Sequence, residues 1–136
     1  MSWSPLHTAA QDGDVQRLER CLDKIRWLEP INVNAQSSQG HTPLHMSAAN
    51  GHVAAIEYLI KESADTNART NKGNTPLHLA AMGGRSDSCK VLISNGADVR
   101  IKNAEDKTAA DVCSGDDPAL KDYLVAQEAS KGVSEV

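Results

Sequence analysis

The residues of this chain that are best suited to chemistry are its five histidines. Imidazole binds zinc and transfers protons near neutral pH, so clustered histidines would indicate a metal site or an acid–base centre. Three of them, His7, His45 and His78, hold the same place in a recurring tetrapeptide, and stacked repeats would separate them by roughly 10 Å, a helix diameter. Zinc ligands have to lie about 2 Å from one ion. The spacing therefore argues against a metal site built from these three.

The other candidates for catalysis or metal binding are equally weak. His41 and His45 have the i, i+4 spacing of zinc-binding helices, but Thr42 and Pro43 begin a helix between them. The chain has no phosphate-binding loop, nucleotide-binding glycine pattern or nucleophile elbow. Asp111 and the other carboxylates near the C-terminus fit a solvated acidic edge. The sequence thus predicts a protein that is not an enzyme, with no catalytic residue, no metal site and no cofactor.

The recurring tetrapeptide indicates the elements that carry these residues. Thr-Pro-Leu-His starts at Thr42 and again at Thr75, 33 residues later (75 − 42). A variant starts at Ser4, and Thr108 begins a degenerate copy a further 33 residues after Thr75 (108 − 75). A fixed period of this size is typical of a chain built by stacking one small unit several times.

Each unit carries the signals of two short helices. A Ser or Thr can cap the first helix, Pro fits its first position, and Gly13, Gly51 or Gly84 can end it. Apolar residues then recur at helical spacing along a second helix, for example at Leu18 and Leu22. Neither helix can bury its apolar stripe alone, so adjoining units have to cover it.

These motifs resemble those of the ankyrin repeat. The Thr-Pro-Leu-His-x-Ala-Ala-x-x-Gly core, the 33-residue period and the Gly-Ala-Asp turn at 96–98 all occur in register. The resemblance implies an all-α repeat solenoid, an ankyrin-repeat stack of antiparallel helix pairs with short β-hairpin-like fingers and a concave face. It also implies that the repeated histidines hydrogen-bond to backbone near the finger turns.

We expect a single ankyrin-repeat domain over residues 1–127. Its repeats run over about 3–36, 37–69, 70–102 and 103–127, and the first and last, which are atypical, serve as caps. Residues 128–136 are expected to form a disordered tail. The first unit has extra residues between 23 and 30, around Trp27. This tryptophan is either an anchor for a partner or a residue packed over the exposed side of the cap.

Composition narrows the setting in which the protein works. The net charge is −4, which gives no general attraction to nucleic acid. No apolar run is long enough to span a membrane, and no signal peptide follows Met1. The three cysteines, Cys21, Cys89 and Cys113, are too few and too scattered for a disulfide framework. We therefore expect a protein of the cytoplasm or the nucleus, with no nucleic-acid partner and no membrane partner.

The resemblance places the contact surface on the finger residues and on the exposed ends of the first helices. It implies these partner-binding residues: Gln11, Asp12, Gln36, Ser38, Gln39, His41, Asn50, Arg69, Asn71, Lys72, Asn74, Met82, Lys102 and Lys107. Four of them are basic, which favours an acidic or polar partner, although scattered surface charges often contribute nothing.

Together these features predict a monomeric, non-catalytic protein–protein interaction module that binds a protein of unknown identity. The resemblance favours a stoichiometric regulator or inhibitor that masks the partner's working surface. A recognition domain or adaptor within a larger assembly is the alternative. Two others remain: a nucleic-acid binder, which predicts steep weakening with salt, and a hydrolase that uses a histidine and a carboxylate.

Overall fold

The computed structural model describes residues 3–25 and 32–134. Over these two ranges the chain forms seven helices joined by turns, without a strand. The helices are α1 (Pro5–Asp12), α2 (Val15–Ile25), α3 (Pro43–Ala49), α4 (Val53–Lys61), α5 (Pro76–Met82), α6 (Ser86–Ser94) and α7 (Pro118–Ser134). Each of the first three units therefore contributes one short helix followed by a longer one.

The same hydrogen-bond pattern begins helices α1, α3 and α5. In α3, the hydroxyl of Thr42 accepts from the backbone N–H of His45 at 3.3 Å, and Nδ1 of His45 accepts from the backbone N–H of Thr42 at 3.1 Å. The caps of α1 and α5 form the same reciprocal pair. A proline follows each cap, where its missing N–H needs no partner. The local sequence is thus sufficient to determine where these helices start.

Glycine ends the first helix of the first unit and makes room for the second unit. Gly13 has φ 71°, in the left-handed region that favours glycine. A Cβ atom at this position would lie 2.5 Å from the imidazole of His52. His52 in turn places its Nε2 2.9 Å from the carbonyl oxygen of Gln11. One glycine therefore serves both the turn and the contact between units.

The fingers are tight turns that lie side by side: the second finger (residues 37–41), the third (70–74) and the fourth (103–107). One backbone bond closes the base of each: Ser37 N to His41 O (2.8 Å), Thr70 N to Asn74 O (2.9 Å) and Asn103 N to Lys107 O (2.8 Å). The amide of Asn71 donates to the carbonyl of Gln39 at 3.0 Å, and the amide of Ala104 donates to that of Lys72 at 2.9 Å. These bonds join neighbouring fingers along the stack.

The helices form two rows. The inner row, α1, α3 and α5, lies beside the fingers, and the outer row is α2, α4 and α6. The inner helices pack on one another more closely than the outer helices do, so the stack curves and its concave side carries the fingers and the inner row. The core runs without a break between the rows, through buried residues that include Leu18, Leu44, Ile56, Leu77 and Leu92. The predicted all-α repeat solenoid is confirmed.

The fourth unit is built differently, as its degenerate sequence indicates. Residues 109–112 form turns where the other units have their first helix. The N–H of Thr108 nevertheless donates to Oδ2 of Asp111 at 3.0 Å, and the N–H of Asp111 to Oγ1 of Thr108 at 3.4 Å. Asp111 thus takes the place of the capping histidine. Helix α7 then covers the end of the core with the buried Leu120 and Leu124.

The C-terminal helix is longer than the sequence analysis expects. Helix α7 continues to Ser134, so the expectation of a disordered tail from residue 128 is wrong for residues 128–134. Ala126, Gln127, Glu128 and Ala129 all have high helix propensity. Because buried Leu124 already anchors the helix, extension through such residues costs little.

Candidate functional site

An open groove lies between the second and third fingers. Its volume is about 400 Å³, and Leu79 of α5 adds apolar surface to it. The residues that line it are Gln39, His41, Thr70, Asn71, Lys72, Asn74 and Leu79. All of these except Thr70 and Leu79 are among the partner-binding residues expected from the sequence. The structure therefore brings together one compact part of the expected surface.

Two residues of the groove are absent from the sequence-based set, for different reasons. Thr70 is buried, and its role in closing the third finger depends on contacts within the turn. Leu79 directly follows the capping His78, and Met46 follows His45 in the same way. Both are only half-buried, whereas the alanines that come next in α5 are fully buried. A large apolar residue directly after the capping histidine, as in the second and third units, is the sequence signal that could have predicted this apolar surface.

Hydrogen bonds hold the tip of the third finger in place. Oγ1 of Thr70 accepts from the backbone N–H groups of Lys72 at 3.3 Å and of Asn74 at 3.2 Å. Asn71 donates from Nδ2 to the carbonyl of Ser38 at 2.9 Å. These bonds therefore fix the backbone position of Lys72, while its side chain is exposed to solvent.

His41 is half-buried and makes no hydrogen bond through its ring to the described residues. Its Nδ1 is buried without a partner, and its ring meets that of His45 edge-on, with centroids 5.8 Å apart. Burial lowers the pKa of His41, and the nearby His7 and Lys72 lower it further. At neutral pH this imidazole is therefore uncharged and keeps one N–H to donate.

A second group of expected residues forms a chain of contacts along the fingers. Nε2 of Gln36 donates to the carbonyl of Arg69 at 3.4 Å, and the guanidinium of Arg69 donates to the carbonyl of Lys102. Arg69 also donates from Nε to the carbonyl of Gly73 at 3.4 Å. Nζ of Lys102 lies 3.7 Å from Oδ1 of Asp106, in an exposed ion pair. Arg69 and Lys102 thus have part of their bonding capacity committed within the protein.

Two of the expected contact residues point their amides inward. Asn74 is only 9% exposed, and its Oδ1 accepts from Nδ2 of Asn103 at 2.9 Å. Nδ2 of Asn50 donates to the carbonyl of Met46 at 2.8 Å, within the last turn of α3. Both side chains therefore support the fold, and Asn74 reaches the surface only as part of the groove wall.

The remaining expected residues lie on the surface, away from the groove centre. Gln11 and Asp12 are exposed at the end of α1, and Asp12 forms an exposed ion pair with Arg17 at 3.4 Å. Met82 is 40% exposed at the end of α5, and Lys107 is exposed on the fourth finger.

Trp27 lies outside the described residues, so its proposed role as an anchor stays a prediction.

The three repeated histidines are structural braces, as the resemblance implies. His7, His45 and His78 are 1% exposed or less. Each accepts through Nδ1 from its cap, and each Nε2 lies 2.7–2.9 Å from a carbonyl of the next finger, that of His41, Asn74 or Lys107. Because Nδ1 accepts, Nε2 carries the proton and donates. Burial lowers the pKa of His45 to about 4, against the raising effect of the bond to Asn74, and burial also lowers the pKa of His78.

Other kinds of site find no support in the part of the chain that the structure describes. Within it, no three metal-binding side chains cluster. Cys21, Cys89 and Cys113 are free thiols, and burial raises the pKa of Cys89 to about 12, so this thiol stays protonated. None of the helices described is long and apolar enough to cross a bilayer.

Comparison with known proteins identifies the repeat. A family model described as ankyrin repeats (3 copies) matches residues 6–103. The chain is 36% identical over 59 residues to acyl-CoA-binding domain-containing protein 1 of Arabidopsis thaliana, covering 43% of this chain and 16% of that protein. It is 37% identical over 57 residues to human ankyrin repeat domain-containing protein 7, covering 42% of this chain and 21% of that protein.

A third relative shows the same partial match. Human transient receptor potential cation channel subfamily A member 1 is 38% identical over 61 residues, which are 45% of this chain and 5% of the channel. The matched region thus spans about a fifth or less of each of these relatives. The family model, in contrast, covers well over half of this chain and includes all three capping histidines, His7, His45 and His78. The chain belongs to the ankyrin-repeat family.

Proposed function

We propose that this chain is a non-catalytic module that binds a protein partner on its concave side, through the fingers and the exposed ends of the inner helices. Ankyrin repeats are in general protein–protein interaction modules. The observation that carries the proposal is the groove between the second and third fingers. It is the place where expected contact residues lie together on an ordered backbone.

The polar residues that repeat between units and those that differ between units have different environments, and this difference supports the proposal. The repeated polar residues, such as Thr42 and His45, are buried and bonded within the fold. The residues that differ between units, such as Gln39, Lys72 and Met82, present exposed side chains. Exposed side chains that the fold does not need for its own hydrogen bonds are available to bind a partner.

The concave side also has the mixed composition of a binding surface. Met46 and Leu79 are half-buried, Met82 is 40% exposed, and Trp3 is 46% exposed at the first unit. Nε1 of Trp3 donates to Oγ1 of Thr8 at 2.9 Å, so the indole is held in place. Apolar side chains beside a polar rim are typical of protein interfaces.

The proposed mechanism is rigid docking with little rearrangement. Backbone bonds between fingers order the surface before a partner arrives, which lowers the entropy cost of binding. A monomer that covers a partner's working surface in this way acts as a stoichiometric regulator or inhibitor, in the cytoplasm or the nucleus. An adaptor role within a larger assembly is the second candidate, because the matched relatives carry their similar region within much longer chains.

A steric block tests which face binds. We expect Met82→Trp, which adds bulk to the concave side, to weaken binding of a partner captured from native extract by at least about tenfold. Glu57→Trp, which adds the same bulk to the exposed face of α4, is the matched control and should leave affinity unchanged. Calorimetry measures both. Loss of binding in Glu57→Trp with retention in Met82→Trp would reject the concave face.

A further inference from the structure

The groove between the second and third fingers has the size of a side-chain pocket. Its volume of about 400 Å³ lies at the lower end of the range for small-ligand sites, about 300–1,000 Å³. Two finger backbones form its walls, and these are joined by the bond from Asn71 N–H to the carbonyl of Gln39. The groove is therefore an ordered recess in which one or two side chains of a partner can lie.

The charge of this recess has one sign. Lys72 and His41 are the titratable residues that line it, and no carboxylate does. Lys72 is exposed and forms no ion pair with any residue in the described ranges. Lys102, which directly precedes the fourth finger, lies instead 3.7 Å from Asp106. The ammonium of Lys72 thus remains available to a group from outside.

His41 adds a hydrogen-bond donor beside this ammonium. Neither ring nitrogen has a protein partner among the described residues, and Nδ1 is buried. The tautomer protonated at Nδ1 would bury an unpaired N–H, which is unfavourable. The tautomer protonated at Nε2 buries only an unpaired lone pair at Nδ1 and leaves its N–H for a ligand. The groups that face the ring are His7 from α1, His45 from α3 and Lys72 from the third finger, and none of them is anionic.

We propose that this groove binds the carboxylate of an aspartate or glutamate side chain of the partner, between the ammonium of Lys72 and the imidazole of His41. This inference rests on the proposed function and names the chemistry that the concave side recognises. The methylene groups of the acidic residue would lie against Leu79, which is the apolar part of the groove. A carboxylate accepts from both donors and neutralises the charge of the Lys72 ammonium.

The donors favour a carboxylate over a phosphate group. Phosphate recognition typically uses arginine forks or several cations together. The guanidinium of Arg69, which directly precedes the third finger, is bonded to the carbonyls of Lys102 and Gly73. One ammonium and one neutral imidazole match a single negative charge.

Small blocked amino acids test this chemistry directly. We expect N-acetyl-glutamate N-methylamide to shift the amide resonances of Gln39, Asn71 and Lys72, and to raise the pKa of His41, because the bound anion stabilises the imidazolium. The neutral glutamine analogue and the phosphoserine analogue should bind more weakly. Equal binding of the glutamine analogue, tighter binding of the phosphoserine analogue, or shifts located elsewhere would each overturn the proposal.

Matched variants separate this inference from the proposed function. Lys72→Gln should lower the affinity for the glutamate analogue and the affinity for the captured partner, each by at least about tenfold. Lys61→Gln removes the same charge from the exposed end of α4 and should change neither. Because the Lys72 side chain is exposed, both variants should keep the wild-type circular dichroism and melting temperature. If Met82→Trp blocks the partner while Lys72→Gln has no effect, the carboxylate site fails and the concave interface stands.

Discussion

At the scale of single residues, the three capping histidines do two things at once. His45, for example, accepts from the N–H of Thr42 and donates to the carbonyl of Asn74 in the next finger. The bond from Thr42 requires the neutral ring, because a protonated Nδ1 could no longer accept, whereas Nε2 could donate in either state. The histidine therefore joins the start of its own helix to the neighbouring repeat only while it is uncharged.

This requirement predicts acid lability. The pKa of His45 in the folded protein is about 4, below the ordinary value of 6.5, so the unfolded chain binds the proton more readily. The stabilisation is complete above pH 6.5 and falls as the pH drops toward 4, by about 1.4 kcal/mol per pH unit and about 3 kcal/mol in total for this residue. Urea denaturation at a series of pH values measures it.

The control for acid lability is His45→Gln, whose side chain does not titrate. This variant should be less stable than wild type at pH 7, since one bond of the brace is lost. Its free energy of unfolding should change less steeply between pH 6.5 and 4, although His78, whose pKa is also lowered, contributes to the slope in both proteins. Identical slopes would show that His45 is not the acid-sensitive group.

At the scale of elements, the helices and the fingers differ in how far the sequence predicts them. The starts and ends of α1, α3 and α5 follow from Ser or Thr, Pro and Gly at fixed places, because capping is local. The burial of Asn74 and the attachment of Arg69 to the next finger depend on residues about 30 positions away. No local pattern contains that information, so the sequence could indicate exposed finger tips but not the internal bonds of the finger bases. The assignment of these residues to a partner contact stays a prediction.

The close approach of the fingers gives a prediction at this scale. Gly73 has φ 78°, and a Cβ atom there would lie 2.8 Å from the backbone nitrogen of Ala104, whose N–H bonds to Lys72. Gly96 has φ 99°, but a Cβ atom would have nothing within 4 Å. We expect Gly96→Ala to cost about 1–2 kcal/mol from backbone strain alone, and Gly73→Ala to cost more.

Guanidinium denaturation of the two alanine variants compares these costs. Both variants carry the strain of a left-handed alanine. The additional loss of stability in Gly73→Ala, relative to Gly96→Ala, therefore measures the clash between the third and fourth fingers. Equal destabilisation would mean that the fingers separate at no cost and that their pairing does not order the binding surface.

At the scale of the whole molecule, the stack behaves as a row of units that are stabilised by their neighbours. Helix α7 closes the C-terminal end of the stack. Its Leu120 and Leu124 are buried in the core, and the ammonium of Lys90 on α6 lies 5.5 Å from the ring centroid of Tyr123 on α7. In such an array, the free energy of unfolding is roughly the sum of contributions from the units and from the interfaces between them. A destabilising substitution at one end therefore lowers the stability of the adjacent unit most.

Truncation of the capping helix core tests this. Leu124→Ala should lower the free energy of unfolding by about 2–5 kcal/mol, because Leu124 is fully buried. Amide hydrogen exchange should accelerate most in α6 and least in α1. Val125→Ala, at the exposed neighbouring position, is the control and should have little effect. Uniform acceleration along the chain would contradict the view of α7 as a local cap.

The central claim is that a partner covers the fingers and the inner helices, and methyl cross-saturation tests it most directly. Saturating the resonances of a captured partner should reduce the methyl signals of Leu79 and Met82, which lie on the concave side. The methyl signals of Val125, which is 48% exposed on α7, should keep their intensity. Loss of the Val125 signals with unchanged signals from Leu79 and Met82 would place the partner on the other face and contradict the account.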